Sequence, residues 1–150
     1  MTQTPANAIV VDYDVPHAPA KVWRALTESG LVASWLMDND LRPVVGHHFT
    51  FHAQPMPGWD GTVRCEVTAV EPEKRLQYTW RGGSEDPQYA PFRIDTVVTW
   101  TLSPSATGGT LLRLEHSGFT DKNAFALEGL ARGWRGKVGE RLAAVIAEMN

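Results

Sequence analysis

Lys21-Val22-Trp23-Arg24-Ala25-Leu26-Thr27, followed by Trp35-Leu36 and answered near the other end of the chain by Gly133-Trp134, is the stretch whose reading decides the fold. Pro16-His17-Ala18-Pro19 stands in front of it. Prolines ahead of a helical pattern mark the place where a strand stops and a helix begins, because proline lacks the N–H that a helix interior needs. Val22, Trp23 and Leu26 recur at helical spacing and pack one side of that helix against a core. Gly30 separates it from a second short helix, Leu31 to Leu36.

Working outward, Ile9, Val11, Tyr13 and Val15 alternate with Val10, Asp12 and Asp14, and a period of two is the signature of a strand with one buried face. Beyond the helices, the connection Leu41 to Gly46 has room for a short edge strand, and Phe49 and Phe51 then alternate with His48, Thr50 and His52. Pro55 to Gly61 is dense in turn formers, so it reads as a loop before the strand Thr62 to Val70, whose Val63, Cys65 and Val67 share a face. Glu71-Pro72-Glu73-Lys74 turns the chain into Leu76, Tyr78 and Trp80. Gly82 to Phe92 reads as an exposed loop. The strand Arg93 to Leu102 follows, with Ile94, Thr96, Val98, Trp100 and Leu102 in phase, and Thr110 to His116 places Leu112, Leu114 and His116 inward.

From about Asp121 to Met149 the period lengthens, and Leu127, Leu130, Trp134, Val138, Leu142, Val145 and Met149 form one apolar stripe. This predicts a single long amphipathic helix, bent or interrupted near its start if anywhere. Gly129, Gly133, Gly136 and Gly139 lie inside it, and at about 100° per residue they fall opposite the stripe. Each should cost up to about 1 kcal/mol against alanine. Either packing holds this helix despite its glycines, or the glycines make a close helix contact in a homodimer. A strand, two short helices, a further run of six or so strands and a long closing helix define an α+β domain whose curved antiparallel sheet of six to seven strands wraps around the C-terminal helix.

Length and composition restrict what such a domain does. With 150 residues, 43% of them hydrophobic, the chain makes one domain, folded over about residues 8–149. A net charge of -3 and the lack of any Lys/Arg run longer than two argue against a nucleic-acid partner. The polar, uncharged start from Met1 to Ala8 is unlike a secretory signal, so a cytoplasmic location is expected. No apolar run approaches the roughly 18–20 residues that span a bilayer. Cys65 is the lone cysteine and falls on an inward strand position, where a thiol acts as a small hydrophobe.

At this point the residues carry a resemblance. Val22 to Thr27, Trp35-Leu36, Gly46-His47-His48-Phe49, Gly58-Trp59-Asp60-Gly61, Glu66-Val67 before Glu71-Pro72, Leu76 to Trp80, Glu115 to Phe119 and Gly133-Trp134 resemble the START-like, birch-pollen-allergen-like helix-grip superfamily called SRPBCC. Within it they are most similar to the branch named for the C-terminal domain of the activator of the ninety-kilodalton heat-shock-protein ATPase. The resemblance implies a helix-grip fold with a hydrophobic cavity between sheet and long helix, used across the superfamily for lipids, hormones, polyketides or toxins. The branch name implies a chaperone partner and a role in the stress response.

The inward phases gather Tyr13, Phe49, Phe51, Cys65, Tyr78, Trp80, Trp100 and Trp134 around His47, Thr96 and His116, and Leu130 and Val138 complete the helix side. A mostly apolar concavity with few polar groups is the composition of a small-ligand pocket. The expected function is therefore binding of a hydrophobic or aromatic molecule oriented by His116, Tyr78 and Thr96. The alternatives are a chaperone-interacting protein, or a small-molecule enzyme transferring protons with His116, Tyr78 and Asp95 or Glu115. Against the enzyme, both carboxylates take the outward phase, Ser117 faces away from His116, and no nucleophile elbow or phosphate loop occurs. No cofactor is expected, and the spacing of His47, His48 and His52 argues against a metal. Whether Trp80, Trp100 and Trp134 fill the interior or leave room distinguishes adaptor from receptor.

Overall fold

The structure is a computed structural model and describes residues 7–84, 86–88 and 93–149. Strand β1 (Ala8–Val15) leads into α1 (Pro19–Thr27) and α2 (Ser29–Trp35). Pro19 opens α1 at its first turn, where the missing N–H costs no helical hydrogen bond. The Trp35 indole N–H donates to the Ala25 carbonyl at 2.8 Å and fixes α2 against α1. Six strands follow: β2 (Asp38–Asn39), β3 (His48–His52), β4 (Thr62–Glu71), β5 (Arg75–Gly82), β6 (Ile94–Pro104) and β7 (Thr110–Ser117). They form one curled antiparallel sheet in the order β1-β7-β6-β5-β4-β3-β2. The helix pair therefore carries the chain from one sheet edge to the other. The expected edge strand at Leu41 to Gly46 lies earlier, at Asp38–Asn39, where Asn39 pairs with Phe51. Part of the Gly82 to Phe92 loop falls outside the described residues.

The inward phases read from the sequence are the buried ones. Phe49 and Phe51, Val63, Cys65 and Val67, Leu76, Tyr78 and Trp80, and the series Ile94 to Leu102 and Leu112 to His116 all lie under the helices. Period-two placement is rigid, since a slip by one residue would turn a whole apolar set to water.

The C-terminal helix differs from the expectation. It is long, but it is broken in the middle: a short 3-10 turn (Asp121–Asn123) leads into α3 (Ala124–Arg135), and α4 (Lys137–Glu148) follows Gly136. A Cβ at residue 136 would lie 2.9 Å from the Arg132 carbonyl oxygen, so the break needs glycine. The break also changes the buried stripe in α4, where Leu142 and Ile146 are buried and Val145 is only half-buried. The glycines do not act together on one outer face. Gly139 faces inward, and a Cβ there would stand 2.8 Å from Cε1 of Tyr13, whereas Gly129 meets nothing within 4 Å. We expect Gly139→Ala to destabilise by about 1–3 kcal/mol despite alanine's better helix propensity, because the added methyl overpacks against a ring. Chemical denaturation with an unchanged m-value is the measurement, and a gain in stability would contradict the close approach.

Candidate functional site

The concave face of the sheet carries a continuous set of aromatic rings. Phe49 and Phe51 on β3 meet edge to face with centroids 5.3 Å apart, and Phe51 lies 5.3 Å from Trp80 on β5. Trp134 of α3 lies 5.7 Å from both Trp80 and Trp100, and Trp100 lies 5.7 Å from Trp35 of α2. Trp35 and Trp134, far apart in sequence, thus meet through Trp100.

One polar chain runs through these rings. The Trp134 indole N–H donates to His116 Nδ1 at 3.2 Å, His116 Nε2 lies 2.8 Å from the Thr96 hydroxyl, and that hydroxyl donates to the Trp80 carbonyl at 2.7 Å. The directions are determined. An indole nitrogen only donates, so Nδ1 must accept. The single Thr96 proton goes to the carbonyl, so Nε2 carries hydrogen and donates to Oγ1. His116 is thereby held as the neutral Nε2–H tautomer, and burial pushes its pKa down to about 3. Tyr78 contributes separately: its hydroxyl accepts the Trp100 indole N–H at 3.1 Å, and burial pushes its pKa up. Burial likewise raises the Cys65 thiol, which makes it a poor nucleophile.

Of the residues expected at the site, Phe49, Phe51, Cys65, Tyr78, Trp80, Thr96, Trp100, His116 and Trp134 are all buried on this face. Leu130 and Val138 are half-buried flanks of α3 and α4. His47 stays outside at the rim, its Nε2 2.9 Å from the Asp40 carbonyl oxygen and its ring beside Phe49. Asp95 and Glu115 are exposed, and Asp95 pairs with Arg81 at 3.1 Å, so neither serves His116. Among the described residues, no group of three or more His, Cys, Asp or Glu side chains could hold a metal ion.

Two contributors escaped the sequence reading. The Phe119 ring lies 4.8 Å from His116. Buried Asn123 accepts the Thr120 N–H at 2.9 Å and donates to the Arg93 carbonyl at 3.0 Å, tying the start of α3 to the residue just ahead of β6. Thr120 and Asn123, three residues apart ahead of an apolar helix, were the signal available for the second. A third feature depends on Tyr13, whose hydroxyl donates to the Trp134 carbonyl. That carbonyl belongs to the last turn of α3, where a helix end leaves acceptors without intrahelical partners.

The interior is filled. Trp80, Trp100 and Trp134 are each at most 3% exposed. Three depressions of about 360, 590 and 550 Å³ lie elsewhere: beside Arg64 and Arg81, along α3 by Leu127 and Arg132, and by Pro72 and Leu102. None is lined by Trp80, Trp100, Trp134 or His116.

The sequence profile described as Activator of Hsp90 ATPase homolog 1-like protein matches residues 16–147. Among solved structures, protein MLL2253 from Mesorhizobium loti is 41% identical, with 95% of this chain and 98% of that one covered and a TM-score of 0.84. Protein BH1534 from Bacillus halodurans is 29% identical, with 97% and 99% covered and a TM-score of 0.73. DynU16, from the dynemicin biosynthetic locus, is 26% identical, with 96% of this chain but 48% of that one covered and a TM-score of 0.76. A search of curated proteins gives no match. No helix among the described residues is long and apolar enough to cross a membrane. With the profile spanning most of the chain and the curled sheet closed by C-terminal helices, this protein belongs to the Activator of Hsp90 ATPase homolog 1-like family, within the helix-grip SRPBCC superfamily.

Proposed function

We propose that this chain works in the cytoplasm as a single domain that binds a small hydrophobic or aromatic molecule on the concave face of its sheet. The observation that carries the reading is the composition of the polar chain. The sheet itself supplies Trp80, Thr96 and His116, which present one acceptor, Nδ1, at the floor of an aromatic-walled concavity, and the donor that meets it comes from a helix. A sheet face that holds one donor-bearing ring in place has the chemistry to recognise another. Tyr78, Phe49, Phe51, Trp100 and Cys65 supply apolar side chains on that face, and Leu130 and Val138 stand half-buried on the helix side. DynU16 comes from a locus named for the biosynthesis of dynemicin, which is consistent with small-molecule binding in this fold.

A second reading, an adaptor for a heat-shock chaperone, is favoured by the filled interior and by the name of the family. Native mass spectrometry of the purified protein, compared with a denatured solvent extract, separates the two. A co-purifying small molecule, or saturable tryptophan quenching by an aromatic panel, is the expected result. An empty protein indifferent to every compound, yet captured by a purified ninety-kilodalton heat-shock chaperone, would replace receptor with adaptor.

A further inference from the structure

We infer that the outer face of the sheet carries an anion site, where the guanidinium groups of Arg64 on β4 and Arg81 on β5 together hold the phosphate group of a small molecule. Both arginines alternate with the buried Cys65 and Trp80 and so point away from the aromatic concavity. The site therefore stands whether or not the concave face takes a ligand.

Strand register brings the two arginines together. Arg64 stands directly opposite Arg81, and Arg81 directly opposite Asp95 of β6. Like charges at directly opposed strand positions repel, so this pair calls for a negative group between them. The protein's own carboxylates meet that need only in part. Asp60 Oδ2 lies 3.6 Å from Arg64 Nη1, beyond hydrogen-bond distance, while its Oδ1 accepts the Thr62 N–H at 3.0 Å. Asp95 takes only the Nε–H of Arg81, at 3.1 Å. Glu66, the next outward residue of β4, sits 3.9 Å from His48 instead. Among the described residues, neither the Arg64 guanidinium nor the Nη groups of Arg81 donate a hydrogen bond.

These groups line the depression of about 360 Å³ at this end of the sheet. Its floor is closely approached backbone. The Asp60 N–H donates to the Gly83 carbonyl at 2.8 Å, and a Cβ at Gly83 would stand 2.7 Å from Cα of Arg93. Arg93 brings a third guanidinium to the edge, with its Nε–H on the Ser84 carbonyl at 2.6 Å. Shape then selects the ligand class. A guanidinium is a planar fork that matches two oxygens, so a carboxylate serves one fork at a time. A phosphate group on a small molecule offers three acceptor oxygens and roughly two negative charges near pH 7, enough for two forks at once. Asp95 is the built-in competitor, occupying Arg81 through one oxygen until phosphate replaces it.

Nuclear magnetic resonance of the arginine Nε–H groups tests this, during separate titrations with inorganic phosphate and phenyl phosphate at constant ionic strength. Expected are saturable shifts of the Arg64 and Arg81 signals and an affinity about tenfold lower in Arg81→Gln and in Arg64→Gln. Arg64→Lys keeps the charge but loses the fork, and should fall with them. Asp95→Asn removes the competitor and should bind about two- to fivefold more tightly, a gain that a purely structural row of ion pairs would not give. The side chains of Arg64, Arg81 and Asp95 are 55, 65 and 74% exposed, so these variants should fold, and their backbone spectra check it. Tighter binding of phenyl phosphate assigns the site to a phosphate ester, and tighter binding of inorganic phosphate assigns it to the free ion. Signals that move no further than in sodium chloride of the same ionic strength overturn the site. So does unchanged affinity in Arg81→Gln, or weakened affinity in Asp95→Asn.

Discussion

Trp134→Ala is expected to lower the unfolding free energy by about 3–5 kcal/mol, the range for truncating a large buried aromatic. The indole is 2% exposed, lies 5.7 Å from two other tryptophans, and donates the hydrogen bond that completes the His116 chain. Truncation removes those contacts, leaves a void the neighbouring rings cannot close, and strands Nδ1 of His116 as a buried acceptor. The measurement is denaturant unfolding followed by far-ultraviolet circular dichroism, since fluorescence loses one of its reporters. A loss below about 1 kcal/mol would contradict the packing of the indole itself.

The parts of this fold that were legible in the sequence are those in which one residue's placement commits its neighbours. Phe49 with Phe51, or Leu112 with His116, follow from period two alone, and the inner faces of all the long strands were readable for that reason. Trp35 and Trp134 were legible as core residues at helical spacing. The break at Gly136 was not, because apolar residues continue on both sides of it. Its cause includes Tyr13, a residue of β1 separated from Trp134 by 121 positions, and no local period records such a contact. Four glycines at similar spacing looked equivalent, yet one ends a helix, one admits a ring and one faces open space. The same limit applies to the site. Inward phase predicted that the aromatics would converge. Whether they leave a cavity depends on where α3 sets one indole, which is decided by tertiary packing and not by pattern.

Acid should destabilise this protein through a single buried base. His116 is fully buried and neutral, with a pKa pushed down to about 3 by burial, against about 6.5 when the chain is unfolded. Above pH 6.5 both states carry the neutral ring, and the group adds no pH dependence. Below it the unfolded chain takes up a proton that the folded one refuses, so stability falls as pH falls, by about 1.4 kcal/mol per unit, until the folded pKa is reached near 3. By pH 5 the loss from this residue alone is about 2 kcal/mol. Carboxylates add to acid unfolding lower down, so the comparison that isolates His116 is the difference between wild type and His116→Gln. Glutamine offers an N–H donor for Thr96 and a carbonyl acceptor for the Trp134 indole, with a second N–H besides, and does not titrate, so the proton-linked term is removed. The expected result is a wild-type curve that declines from pH 6.5 to 5 beside a nearly flat variant. Parallel curves would mean that the folded protein admits a charged imidazole, which requires water or a displaced indole at Nδ1.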